Sequence, residues 1–286
     1  MLNRSLAALL GGATCIALSP IFVRLSEAGP TATAFWRVAL ALPLLWIFVL
    51  AKPAERSRPA PHGLLLLAAG FAFAGDLGFW HLSIRYTSVA NSTLLANLAS
   101  LFVTLGTWLF LRERPSGLFL AGLAAALAGV GLLVGASAQF GPRSLLGDAL
   151  GLLTAVFYAA YLFAVKSLRD RGEGTLRLMA ATSTITAVFL LPVALASGET
   201  FFPATAHGWA TLLGLAWISH AAGQGLIAYA LAQLPAAFSS VSLLLQPVMA
   251  SVFAWLILAE PVGAVQVAGG LVVLAGIYLA RRGSRT

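Results

Sequence analysis

Apolar runs of about 20 residues recur along the whole chain, separated only by short breaks that carry Gly, Pro or charge. A helix rising about 1.5 Å per residue needs a run of that length to cross roughly 30 Å of hydrocarbon. Of the 286 residues 60% are hydrophobic and only 9% charged, against about 25% charged in a soluble domain. A chain this poor in charge has no means of wetting a globular surface, so the expectation is an all-α polytopic membrane protein.

Ten such helices fit, at 6–23, 32–50, 63–84, 89–111, 117–134, 145–165, 176–196, 209–231, 236–258 and 262–280. The basic residues orient them. With the N-terminus inside, thirteen of the seventeen Lys and Arg fall on the inner side: Arg4; Lys52, Arg56, Arg58; Arg112, Arg114; Lys166, Arg169, Arg171, Arg177; and Arg281, Arg282, Arg285. Arg24, Arg85 and Arg143 fall outside, and Arg37 lies within the second run. The positive-inside rule therefore predicts both termini in the cytoplasm. Arg4 before the first run superficially resembles a signal peptide, but further spans follow directly, so the run reads as an uncleaved helix.

That distribution also accounts for the net charge of +8. The basic residues form no patch interleaved with aromatics, and no nucleic-acid partner is expected. The single cysteine, Cys15, sits inside an apolar run and reads as a packed small residue. The four histidines, His62, His81, His207 and His220, are scattered, and no G-x-S-x-G, H-E-x-x-H or paired-Asp motif appears. No metal, no cofactor and no catalytic centre is expected.

The chain is internally duplicated. Shifted by 147 residues, TLGTWLFLRERPSGLFLAG from Thr104 falls without gaps on SVFAWLILAEPVGAVQVAG from Ser251. Trp108 then meets Trp255, Leu111 meets Leu258, Glu113 meets Glu260, Gly122 meets Gly269 and Gly129 meets Gly276. Five spans per copy is an odd number, so the copies cross in opposite senses. The predicted architecture is two inverted five-helix repeats, 1–138 and 139–286. Arg112 and Arg114 of the first linker face Ala259 and Pro261 in the second, a loss of positive charge where the linker moves outside. Inverted repeats recur in secondary transporters, with the substrate near the midplane between the halves.

With those residues in hand, the chain resembles the drug/metabolite transporter superfamily, and within it the ten-helix EamA-type exporters. The resemblance spans nearly the whole chain. It is carried by the two segments WLFLRERPSGLFLAGLAAALAG and WLILAEPVGAVQVAGG, and by the Pro of LLLQPVMAS. The first copy departs there, with Ser100 in place of Pro247. The resemblance implies export of small metabolites across a bacterial inner membrane by alternating access, and is strongest to the YddG-type bacterial amino-acid exporters, some of which accept aromatic amino acids. A lipid or lipid-linked flippase, or another metabolite or drug exporter of the same architecture, stays open as the alternative.

Polar side chains within spans should face protein or a water-filled cavity. In the fourth run Thr93, Asn97, Ser100, Thr104 and Thr107 follow alternating +4 and +3 spacing and make one stripe. Asn97 and Ser100, near midspan, are the expected substrate contacts there. The ninth run carries Ser240, Pro247 and Ser251 on the matching stripe, with Gln246 beside it. Trp217, His220 and Gln224 fall at i, i+3 and i+7 in the eighth run, and Thr154, Tyr158 and Tyr161 likewise in the sixth. Together they outline an aromatic-lined cavity, against a plainer reading as helix packing.

Asp76 is the hardest residue to place. A carboxylate at the centre of a span costs roughly 2.5 to 3.5 kcal/mol on insertion scales. Counting rise from the outer edge puts Arg37 and Asp76 at roughly 8 and 12 Å depth. Three readings stay open: an ion pair with Arg37, a cavity acid that attracts a substrate ammonium, and a proton-coupling acid. Trp80, one turn beyond Asp76, is a candidate cavity wall.

Overall fold

The computed structural model describes residues 2–52, 62–87, 89–135 and 144–284, and these residues form helices with no strand among them. Arg56, Arg58, Arg143 and Arg285 of the orientation argument lie outside the described residues. In chain order the helices are α1 (Leu2–Ile16), α2 (Ser19–Leu25), α3 (Pro30–Ala39), α4 (Leu42–Ala51), α5 (Gly63–Ser83), α6 (Val89–Ala96), α7 (Ala99–Leu111) and α8 (Gly117–Gly135). The second half holds α9 (Ser144–Asp170), α10 (Thr175–Ala196), α11 (Ala206–Gly214), a π-helical segment (Leu215–Gln224), α12 (Gly225–Ala230), α13 (Ala236–Ser242), α14 (Leu245–Leu258) and α15 (Ala264–Gly283).

Eight helical stretches among the described residues are long and apolar enough to cross a membrane. Of the other two expected spans, the fifth is an apolar helix of shorter reach, Gly117–Leu133. The eighth runs from Ala206 to Ala230 through the π segment. Side chains such as Leu50, Leu64, Phe110, Val188, Leu195, Leu256 and Leu271 stand more than half exposed on the outside of the bundle. In a protein bathed in hydrocarbon that is the stable arrangement, since lipid tails are as apolar as leucine.

Several expected spans are broken near their middle, and proline explains most of the breaks. Pro20 and Pro43 stand at the first turn of α2 and α4, and Pro247 in the first turn of α14. Each removes the N–H that would have continued the preceding helix. The break at Asn97–Leu98 forms without a proline. There the Asn97 Nδ2 donates to the Thr93 carbonyl at 2.7 Å and the Ser100 hydroxyl to the Asn97 carbonyl at 3.0 Å. The Thr93 carbonyl keeps its ladder bond from the Asn97 N–H, but the Asn97 carbonyl accepts from Ser100 while the Leu101 N–H turns to Leu98, so Ser100 reaches by hydrogen bonding a break that Pro247 makes by lacking a donor.

Glycine fixes how the halves meet. α8 and α15 pack antiparallel with their backbones in contact, because a Cβ on Gly122 would lie 2.7 Å from the Gly276 carbonyl oxygen and one on Gly129 2.7 Å from that of Gly269. No larger residue fits. At one end of the bundle the halves are tied by polar contacts: Arg24 pairs with Glu260, and Arg85 pairs with Glu199 at 2.9 Å. Glu199 also accepts the Thr31 N–H at 2.8 Å. At the opposite end Glu173 lies against His62 at 3.4 Å.

Candidate functional site

The helix breaks open onto a half-enclosed cavity. Its walls include Ala17 at the α1–α2 break, Asn97 at the α6–α7 break, and Leu243 and Leu244 at the α13–α14 break. Irregular backbone at membrane depth is tolerated where it borders a cavity rather than lipid. A fourth break, Leu40–Ala41, does not reach the cavity, and there the Trp217 Nε1 donates to the Leu40 carbonyl at 3.1 Å.

Seven of the ten residues expected to contact substrate line this one cavity: Asp76, Trp80, Asn97, Ser100, Tyr158, Gln224 and Gln246. Arg37 lines it as well. Three of the ten lie elsewhere. Trp217 is 47% exposed on the bundle surface. His220 is buried behind the wall, its Nε2 2.8 Å from the Ser183 hydroxyl and its ring stacked 5.4 Å from Phe73. Tyr161 also stacks on Phe73, at 4.5 Å, and turns its hydroxyl to the Met179 sulfur. Both belong to the packed core rather than the cavity.

The π segment explains why the eighth run misled. Its i to i+5 bonding widens the turn from 3.6 to roughly 4.4 residues. Over the three residues from Trp217 to His220 and the four to Gln224, the shared face assumed for an α-helix comes apart. Gln224 enters the cavity and Trp217 turns outward. The stripe in the fourth run divides too. Thr93, Asn97 and Ser100 line the cavity, whereas the Thr104 and Thr107 hydroxyls donate to carbonyls one turn back. The sequence reading missed the first helix altogether, where Ser19 and Pro20 form part of the wall. The signal was present as a proline inside an apolar run.

Charge in the cavity is concentrated in two residues. Arg37 is 4% exposed and Asp76 9%, and they are the charged residues among its lining. Neither makes an ion pair of 4 Å or less among the described residues. The contact ion pair expected as one reading of Asp76 is therefore not formed. The Arg37 Nε also lacks a hydrogen-bond partner, as do the Ser19, Thr93 and Tyr158 hydroxyls and the Gln224 Oε1. A buried polar atom left unsatisfied costs about 1 to 3 kcal/mol, so the site is arranged to receive polar groups from outside the chain. Among the described residues no cluster of His, Cys, Asp and Glu has the makings of a metal site.

Comparison with known proteins agrees with this picture. The model of the EamA-like transporter family matches residues 3–135 and again 145–282. A transporter of Archaeoglobus fulgidus, described as uncharacterized, is 31% identical over 91% of both chains. A probable terminal-alkyne amino-acid exporter of Streptantibioticus cattleyicolor is 30% identical over 79% of this chain and 75% of its own length. The pseudopaline exporter of Pseudomonas aeruginosa is 27% identical over 86% and 84% respectively. One solved crystal structure matches over 100% of both chains with a TM-score of 0.85 at 16% identity, which shows a shared fold. With a family match over both halves and a cavity of this kind, the chain belongs to the EamA-like transporter family of the drug/metabolite superfamily and is a multi-pass membrane transporter of small molecules.

Proposed function

We propose that the protein exports amino acids, or small metabolites with an amino-acid head group, by alternating access. The observation that carries this reading is the pair Arg37 and Asp76, opposite charges that line one cavity without neutralising each other at contact distance. A zwitterion supplies both missing partners. Its carboxylate suits the guanidinium and its ammonium suits the carboxylate, and each charged contact formed away from water is stronger than a neutral hydrogen bond. Asp76, unpaired, is also placed to take a proton in exchange for the ammonium, which would couple export to a proton gradient. The names of two relatives, an amino-acid exporter and a pseudopaline exporter, point the same way.

The accompanying architecture is ten spans in two inverted repeats, 1–138 and 139–286, with both termini cytoplasmic in a bacterial inner membrane. The antiparallel course of α8 and α15, which the 147-residue shift superimposes, supports the inversion.

Purified protein in liposomes tests the reading by counterflow of labelled amino acids, with and without an imposed pH gradient. Saturable exchange is expected, with accumulation only when the gradient is present. Lack of flux across a broad amino-acid panel, with lipid scrambling in its place, would sink it.

A further inference from the structure

The charged groups of the cavity come from one half of the chain, Arg37 on α3 and Asp76 on α5. The wall supplied by the second half is polar but neutral. Its hydrogen-bonding groups are Thr154 and Tyr158 on α9, Gln224 at the end of the π segment, Ser240 on α13 and Gln246 on α14. Thr154 and Ser240 spend their hydroxyls on carbonyls of their own helices, at 3.0 and 2.8 Å. The Tyr158 hydroxyl and the Gln224 Oε1 are buried and have no partner. The Tyr158 hydroxyl stands beside the Gln224 and Gln246 amides without the geometry of a hydrogen bond to either.

Three elements thus bring a phenol and two carboxamides to one place and leave the phenol and the Gln224 Oε1 unsatisfied. A phenol and a carboxamide each donate and accept. Their complement is a neutral group that also does both, namely a hydroxyl or another carboxamide. A second carboxylate or ammonium would find no opposite charge on this wall, and a charge buried without one is costly. An apolar side chain would fill the space but leave the phenol and the Gln224 Oε1 unpaired, the situation in which sites built for hydrogen bonding discriminate most strongly.

We propose that Tyr158, Gln224 and Gln246 form a second subsite that selects α-amino acids whose side chain carries a neutral hydrogen-bonding group. This rests on the zwitterion reading of Arg37 and Asp76. The head group binds the first half and the side chain binds the second, so a bound substrate spans both halves of the transporter.

Isosteric pairs give the test. Counterflow in liposomes is measured for L-threonine against L-valine and for L-glutamine against L-methionine, with L-glutamate and L-lysine as charged probes. The expected result is a preference of about tenfold or more in kcat/KM for the polar member of each pair, with both charged probes below threonine. In Tyr158→Phe combined with Gln224→Leu, the threonine-to-valine ratio should fall to near one. Equal or better transport of valine and methionine by the unaltered protein overturns the subsite while leaving the zwitterion reading in place. Exchange of no amino acid at all overturns both. An unchanged ratio in the variant removes these residues from the selection. Should the variant fail to elute as a monodisperse species, the unaltered protein's ratios for the two pairs still decide.

Discussion

The seam between α8 and α15 and the cavity obey different rules, although both halves of the chain build each. At the seam the two copies are interchangeable. The 147-residue shift carries Gly122 to Gly269 and Gly129 to Gly276, so the two close contacts, Gly122 with Gly276 and Gly129 with Gly269, exchange places. The linkers before these helices repeat as well. Arg112 and Ala259 both take left-handed backbone, at φ 56° and 53°. The next residue, Glu113 or Glu260, donates its N–H to the carbonyl six residues back, at 3.4 and 3.3 Å. In the cavity the shift carries Arg37 to Thr184 and Asp76 to Gly223, and both charges vanish from the second copy. Backbone contact tolerates no side chain, so packing held the copies alike where they touch. Substrate chemistry held them to nothing of the kind.

The seam offers the most violent way to break that comparison. In Gly276→Val a Cβ would sit 2.5 Å from the Ala126 nitrogen, and in Gly122→Val 2.4 Å from the Ala280 nitrogen. The clash is with backbone, which cannot rotate away as a side chain can. Overpacking ordinarily costs about 1 to 3 kcal/mol, and here the helices themselves must separate, so the cost should lie at or above the top of that range. Neither variant is expected to give a monodisperse peak on size-exclusion chromatography in detergent. Gly131→Val, whose Cβ meets nothing within 4 Å, should elute like the unaltered protein. Unequal outcomes for Gly122→Val and the matching Gly269→Val, whose Cβ would sit 2.7 Å from the Leu133 nitrogen, would mean that the symmetry of the contacts does not extend to their energetics.

The cavity should respond in the opposite sense. Asp76→Asn removes a buried carboxylate that has no contact partner. Relieving such a charge stabilises a fold while disabling a site that depends on it. Amino-acid counterflow should fall by about two orders of magnitude, the loss of one charged contact worth roughly 3 kcal/mol, while the melting temperature holds or rises. A fall in both together would move Asp76 from the substrate to the scaffold.

How much of this was legible beforehand depended on which physical signal each residue carries. Apolar run length marked the helices, and the glycines of α8 and α15 were readable because small residues at a helix interface leave a pattern. Arg37 and Asp76 were conspicuous because charge within a span is costly. Polar spacing located Asn97, Ser100, Tyr158, Gln224 and Gln246, yet it misplaced Trp217 and His220. That reading assumed a regular α-helix, and nothing local in LAWISHAAGQ declares a π-helical turn. Ser19 escaped for a related reason, since a helix break turns a residue toward the cavity only through its partner helices. Nor does spacing distinguish Tyr158 from Tyr161, three residues apart on one helix. Phe73 claims the second ring by stacking on it, and that is a tertiary contact.

The smallest effect concerns a tie between the halves at the end that holds Arg24. Glu27 accepts the N–H groups of Ala204 and Thr205, each at 2.9 Å, and the Thr205 hydroxyl. Thr205 in turn caps α11 by accepting from the Gly208 N–H at 3.0 Å. The same shift takes Glu27 to Gly174, and the acid beside it, Glu173, lies against His62 at 3.4 Å at the opposite end. These hydrogen bonds, the Thr205 side chain foremost, hold the Glu27 carboxyl below its ordinary pKa. A depressed carboxyl stabilises the fold above the unfolded glutamate value of about 4.3 and loses that contribution as pH falls through the folded value. The melting temperature should therefore drop as pH is lowered from neutral into that acid window. In Glu27→Gln the drop should be slightly shallower, because one of the groups responsible no longer titrates. Identical pH profiles for the two proteins would show that the tie at Glu27 contributes nothing measurable.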